Sequence, residues 1–387
     1  MSRQQSVATL AITNGQIVTP NGVIEGDVTA VDNRIAAITT NQTGQTDADT
    51  VVDADGRYIL PGLIDLHGDD IEDHVFPRSG ARTADSLALD AADRANVAAG
   101  VTTKCHAVSF QDAPEDDRST DLARDIVDMV AANDDLLADH RIHARCELTD
   151  PGCVEAVCEI IDRDIVVMAS LMAHVPGQGQ FASVESFKQW YMDDAGFDEG
   201  EVDEIIETRQ KITDDVFDDR IERVTAAATA AGLTVASHDD ENPEEVSHRA
   251  EKGVSLSEYP VTLDAANRAA EEGMTTAMGA PNLVRGGSQW GNLSTADAID
   301  AGVVDILCAD YHPPSLLAAP FVDTGEPLHE RVARVTANPA AAIGLDDRGR
   351  LEPGARADLL VVDPDPMPTV ERAVVAGEDV FCAEASP

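Results

Sequence analysis

Through the middle of the chain, short apolar runs alternate with amphipathic stretches of helical period. The runs at 63–69, 101–108, 142–148, 165–174, 233–239, 254–259, 274–279 and 304–310 read as strands. Between them, 86–99 is Ala-rich and stops at Gly100. The stretch 121–132 carries Leu122, Ile126 and Met129 at helical spacing, and 222–231 ends at Gly232. Strands separated by helices imply parallel pairing, and eight of them is the number that closes a (β/α)8 barrel. A very acidic region, 177–215, interrupts the alternation. It reads as a solvated helical hairpin, with a lid over the barrel mouth as its functional alternative.

Both ends of the chain have a different pattern. Short strands broken by turns occupy 8–60, including 10–12, 27–31 and 34–38, with a turn at 19–22. A matching β-rich stretch closes the chain through 349–351, 357–362 and 373–375. The expected fold class is therefore α/β. A barrel over 59–347 carries a small β-sandwich domain assembled from 1–58 and 348–387.

Composition narrows the partners. The 387 residues include 72 acidic and 27 basic ones, a formal charge of −45 spread along the whole sequence. Lysine appears only at 104, 188, 211 and 252. This balance suits concentrated salt, because at about 1 M the Debye length is roughly 3 Å and surface self-repulsion is largely screened. Nucleic acid and anionic membrane are excluded as expected partners, since both demand a positive surface. A homo-oligomer stays open. The cysteines at 105, 146, 153, 158, 308 and 382 show neither paired nor framework spacing, which fits reduced thiols in a cytosol. The start, MSRQQSVATL, lacks a secretory pattern, and no window is long and apolar enough to span a bilayer.

In parallel barrels the reactive side chains stand at the carboxyl ends of strands. The first strand ends in Leu66-His67-Gly68-Asp69-Asp70, where alternation puts Asp65, His67 and Asp69 on one face. The others end in kind: His143, Arg145 and Glu147 share a face with Glu147 last. The run to Ala173 meets His174, that to Ser237 meets His238, and that to Ala309 meets Asp310. Any one of these is ordinarily a hydrogen-bonded structural residue, but five strands ending alike point to a common site. His67, Asp69, Glu147, His174, His238 and Asp310 suit two divalent cations, with Glu147 as the bridging oxygen donor. Zn²⁺ fits this mixed nitrogen and oxygen set, as do Mn²⁺ and Fe²⁺. A water acidified between the cations would attack an electrophile, with Asp310 taking and returning its proton.

The stretches LPGLIDLHGDD (60–70), RCEL (145–148), SLMAHVPGQGQF (170–181), ASHDDE (236–241), MGAPNLVRGGS (278–288) and ILCADYHPPSLL (306–317) follow in order across the chain. Together they resemble the PhnM family of the amidohydrolase superfamily. The closing GRLEPGARADLLVV (349–362) is similar to the strand-turn that ends many amidohydrolases. HxD and Glu147 replace the HxH and carboxylated lysine common elsewhere in the superfamily, which argues against dihydroorotase or hydantoinase chemistry. The resemblance implies a substrate, α-D-ribose 1-methylphosphonate 5-triphosphate, cleaved to the 5-phosphate and pyrophosphate in phosphonate breakdown. Residues that suit a polyphosphate are present. Gly286 and Gly287 permit close backbone approach of amides to an anion, beside Asn282 and Ser288, and Arg285 and Arg78 offer charge-assisted bonds. Gln178 and Gln180 add neutral donors. Each has a plainer reading as a turn or surface residue.

Lys104 and His106 share a face of the second strand and read as structural. His312 either touches substrate or caps its strand. His143 reads as a hydrogen-bonding support, and His74, His140, His248 and His329 as solvated or capping residues. Two rival activities remain: hydrolysis of a cyclic amide or N-acyl substrate by the same ligands, and a noncatalytic place in a phosphonate-processing assembly.

Overall fold

The computed structural model describes residues 8–40, 47–113, 117–177, 183–193, 197–289 and 291–383. Strands β1 (Thr9–Thr19), β2 (Gly22–Val31), β3 (Arg34–Thr39), β4 (Thr50–Asp53) and β5 (Tyr58–Pro61) come first. Eight strands follow in the middle: β6 (Leu63–Gly68), β7 (Val101–Phe110), β8 (Asp139–Glu147), β9 (Val166–Met172), β10 (Thr234–His238), β11 (Leu256–Glu258), β12 (Thr275–Gly279) and β13 (Ile306–Cys308). They pair in parallel in chain order, and a bridge between Gly68 and Asp310 joins the last to the first. The middle of the chain is therefore a (β/α)8 barrel, and each of the eight predicted runs overlaps one of its strands.

β14 (Leu359–Asp363), β15 (Thr369–Val375) and β16 (Glu378–Cys382) add to β5 and β1, so that both chain ends build one sheet in the order β16-β15-β14-β5-β1-β2-β3, with β4 on β1. The expected sandwich is thus one continuously hydrogen-bonded sheet, mostly antiparallel. Its core packs Ile12, Ile17, Val28 and Ile59 against Leu359, Val361 and Val374. A second cluster, with Val18, Leu60, Leu360 and Val370 against Leu63, Val101 and Val335, fixes this sheet to the barrel.

Charged residues reinforce that junction. Asp139 opens β8 and accepts from Arg141 at 2.7 Å, Arg348 at 2.6 Å and Arg356 at 3.2 Å. This explains why β8 begins three residues before the apolar run does: its polar start is paired. The same stretch corrects the expectation for His140, which is buried. It bonds His106 at 2.8 Å and Asp93 at 2.9 Å.

Region 177–215 contains the helices Val184–Asp193 and Glu199–Arg209 and the start of Asp214–Ala230. The first two have a core of their own, Phe187, Tyr191, Val202 and Ile206. They are tied down as well, because Arg209 donates to the His174 carbonyl at 2.8 Å while lying over the Phe187 and Tyr191 rings.

Candidate active site

The polar strand ends converge at the carboxyl rim of the barrel. β6 carries His67, with Asp69 just past its end; Asp310 follows β13 by two residues. The Asp310 amide donates to the His67 carbonyl at 2.8 Å and the Asp69 amide to the Asp310 carbonyl at 3.2 Å, so the barrel closure itself sets this group. His67, Asp69 and Asp310 each offer a ligand atom within 4.8 Å of the others. The His238 ring, from the end of β10, lies 5.4 Å from that of His67 between centroids.

Backbone strain marks the same rim. Asp239, Tyr259 and Asp310 have φ of 59°, 53° and 57°, left-handed values that non-glycine residues avoid. All three line one cavity of about 280 Å³ together with His67, Asp69, Arg145 and His238. Strained residues persist where surrounding structure over-determines them, and here they aim side chains inward.

Glu258, the last residue of β11, completes the arrangement and was not singled out among the sequence candidates. It is fully buried, and its Oε1 lies 3.2 Å from His67 Nδ1. A carboxylate on one ring nitrogen fixes the tautomer and leaves the other for a cation. His67, His143 and Glu258 also form a close group. Both nitrogens of His143 are engaged, however, with the Leu66 carbonyl at 2.9 Å and Ser170 Oγ at 2.8 Å. That matches the supporting role expected of it.

Glu147 and His174 form a second pair. His174 Nδ1 is 2.5 Å from Glu147 Oε2, while Glu147 Oε1 accepts from Thr149 Oγ1 at 2.6 Å and its amide at 2.9 Å. Neither belongs to the close groups around His67. A bridging role for Glu147 therefore requires these contacts to yield. The halves meet at His238 and Asp239, which line both the first cavity and a second of about 510 Å³ that reaches His174.

Electrostatics follow from burial and neighbours. Burial and the Asp69 carboxylate push the Asp310 carboxyl up to about 7, against the pull of Arg145 and His238. Burial opposes ionisation of Glu147 as well, but His174, Arg209 and the Thr149 hydrogen bond hold it down to about 2. Burial drives His67 well below the usual histidine range. His238 moves upward, because Asp239 at 3.0 Å outweighs burial.

This donor set fits divalent cations. Asp69 and Asp310 are two carboxylates crowded beside a histidine whose second ring nitrogen is already oriented, an arrangement that a bound cation relieves.

Beneath the rim, Lys104 is fully buried, with Nζ 2.8 Å from Asp65 and 2.5 Å from Asp70. A Cβ at Gly68 would collide with the Lys104 ammonium and the Asp65 carboxylate, so only glycine lets the strand pass. Asp65 in turn accepts from the amides of His67 at 3.2 Å and Ala309 at 2.9 Å. Lys104 thus reads as structural, but directly under the site.

The polyphosphate candidates separate. Asn282, Arg285 and Ser288 line the first cavity. Arg285 reaches Tyr311 Oη at 3.0 Å, and Asn282 is engaged with Leu293 and Thr295. The reading of Gly286 and Gly287 as amide donors to an anion is corrected: both amides bond the Asn282 carbonyl, at 3.1 and 2.9 Å, and Gly286 at φ 88° terminates the helix Ala280–Arg285. Arg78 is exposed and does not line this cavity. Gln178 and Gln180 lie outside the described residues. His312 Nδ1 is 2.8 Å from Ser315 Oγ, at the start of the helix Pro313–Ala318.

Comparison with known proteins adds independent observations. The model of the amidohydrolase family matches residues 202–380. The alpha-D-ribose 1-methylphosphonate 5-triphosphate diphosphatase of Escherichia coli (strain K12) is 32% identical over 360 residues, covering 91% of this chain and 94% of its own. An adenine deaminase of Geobacillus kaustophilus is 41% identical over 78 residues only, 20% of this chain and 12% of its own. Among solved structures, molinate hydrolase superposes with a TM-score of 0.66 at 16% identity, over 97% of this chain and 95% of that one. At that identity the likeness speaks for the fold alone.

Proposed function

Because the chain belongs to the PhnM-like branch of the amidohydrolase superfamily, we propose that it hydrolyses the 5-triphosphate of α-D-ribose 1-methylphosphonate 5-triphosphate to the 5-phosphate and pyrophosphate. The observation that carries the substrate class is the diphosphatase relative, similar over nearly the full length of both chains. The clustering of His67, Asp69 and Asp310 at the rim supports a metal-dependent hydrolytic site.

In this reading two divalent cations, Zn²⁺ first and Mn²⁺ or Fe²⁺ with the same donors, would be held by His67, Asp69 and Asp310 with His238, and by Glu147 and His174. Bound there, they supply Lewis-acid charge for phosphoryl oxygens and raise the acidity of water. Glu258 keeps the His67 ring in its ligating tautomer. The Asp310 carboxylate, facing the cavity, accepts the proton that the attacking water loses as its oxygen bonds phosphorus. The phosphoanhydride bond breaks, pyrophosphate leaves with the electron pair, and Asp310 releases its proton to the departing products. Arg285 and Ser288, which line the same cavity, meet phosphate oxygens. In a chain of charge −45 a triphosphate is held only where cations and arginines reverse the local sign. The six cysteines are all free thiols, which supports a reducing compartment. Among the described residues no helix is long and apolar enough to cross a membrane.

The test is reconstitution. Chelated protein reloaded with Zn²⁺, Mn²⁺ or Fe²⁺ is expected to convert the 5-triphosphate to equal amounts of 5-phosphate and pyrophosphate. Cleavage of cyclic or N-acyl amides with the triphosphate left intact would replace this reading with the amide one. Less than one cation per folded chain, in salt, would favour the noncatalytic one.

A further inference from the structure

Among the described residues three arginines are less than a tenth exposed: Arg145, Arg334 and Arg348. Two of them are held by short hydrogen bonds. Arg334 grips both Glu326 oxygens at 2.6 and 2.7 Å and donates Nε to the Val304 carbonyl at 2.9 Å. Arg348 bonds Asp347, Asp139 and Thr103 at 2.9, 2.6 and 3.1 Å. Arg145 differs. Its ion pair with Asp69 is 3.7 Å long, beyond a good hydrogen bond, and its buried Nε has no hydrogen-bond partner among the described residues.

Its place is as unusual as its bonding. On the shared face of β8, His143 and Glu147 are both fully engaged, while Arg145 lies between them with donors to spare. It lines the same cavity as His67, Asp69, His238, Asp310 and Arg285. A buried guanidinium with unmet donors is costly unless something completes it, and the shape of the fork suits a tetrahedral or planar oxyanion. The adjacent carboxylates would repel such an anion once their charge is uncompensated, so a cation on them and an anion on Arg145 are complementary.

We propose that Arg145 is a substrate-binding residue that takes two oxygens of the phosphoryl group presented to the metal ligands. For the identity of the anion this rests on the phosphoanhydride reading; the under-bonded guanidinium stands without it. Arg145 then orients the reacting phosphorus from the floor of the cavity while Arg285 meets the chain of phosphates at its wall.

Calorimetric titration of inorganic phosphate into the metal-loaded chain, with metal content measured on the same samples, tests this. Arg145→Gln is expected to keep its cations and to weaken phosphate binding on the order of 10- to 100-fold. Arg145→Lys, which retains the charge beside Asp69, is expected to keep cations and fold yet still bind phosphate several-fold more weakly, because a point charge lacks the fork. Wild-type phosphate affinity in Arg145→Gln overturns the proposal, and so does loss of cations with undiminished phosphate affinity in the chains that remain loaded. Should Arg145→Gln not fold, wild-type affinity in Arg145→Lys overturns it equally. Triphosphate turnover by the unmodified protein separates the two layers: Arg145-dependent phosphate binding without turnover sinks the functional reading alone, and turnover with Arg145-independent binding sinks this one alone.

Discussion

Replacing Lys104 by methionine removes one positive charge from the fully buried cluster beneath the site. The ammonium pairs with both Asp65 and Asp70, at 2.8 and 2.5 Å. For Asp70, burial raises the carboxyl pKa, yet Lys104 and His106, with hydrogen bonds from Lys104 and Asn96, bring it from 3.8 to about 2. That depression corresponds to about 2 kcal/mol at neutral pH. Asp65 loses the same buried partner, which brings the expected loss for Lys104→Met to roughly 3–5 kcal/mol. This is a large part of the roughly 5–15 kcal/mol that holds a typical domain together. The loss should also reach the site, because Asp65 holds the amides of His67 and Ala309. Guanidinium unfolding in high salt, read together with bound metal, measures both effects. A triple variant, Lys104→Met with Asp65→Asn and Asp70→Asn, should recover at least half the stability, since asparagine keeps the acceptor and drops the charge. A Lys104→Met protein within about 1 kcal/mol of the parent would show that the buried ammonium does not hold this cluster together.

Three further outcomes are expected. Asp310→Asn should retain its cations yet lose turnover by roughly 100-fold or more, as a lost proton acceptor does; near-normal rates would contradict that role. Asp139 is lowered from 3.8 to about 2 by Arg141 and Arg348 against burial, so its contribution of about 2 kcal/mol is fully present above its unfolded value and disappears as pH falls from about 4 through 2. Asp139→Asn should flatten the acid-unfolding curve over that window, and an unchanged curve would rule the cluster out as a fastener. Raising KCl from about 0.2 to 2 M should raise the unfolding midpoint, because the charge of −45 is then screened; a flat or falling midpoint would dismiss the salt-adaptation reading.

The barrel was legible because its short apolar runs alternate with helical stretches, and the candidate ligands because five of those runs reach an imidazole or carboxylate at their carboxyl ends. Glu258 escaped for the opposite reason. β11 is only three residues long, and a glutamate among 72 acidic residues carries no signal of its own. The cue was positional: the run 254–259, like the five that carry candidate ligands, reaches a polar residue at its carboxyl end. Arg145 was visible on the ligand face of β8, but only coordinates reveal that its donors are unmet. Gly286 and Gly287 misled because a paired glycine after a strand looks the same in sequence whether it cradles an anion or ends a one-turn helix. His140 was hidden by the polar start of β8, whose partners are residues 93, 348 and 356, far along the chain.

Anomalous diffraction from crystals soaked in Mn²⁺ locates the cations. A peak is expected within bonding distance of His67, Asp69 and Asp310, with a second beside Glu147 and His174. Strong peaks confined to the acidic outer surface, with the rim of the barrel empty, would contradict this placement.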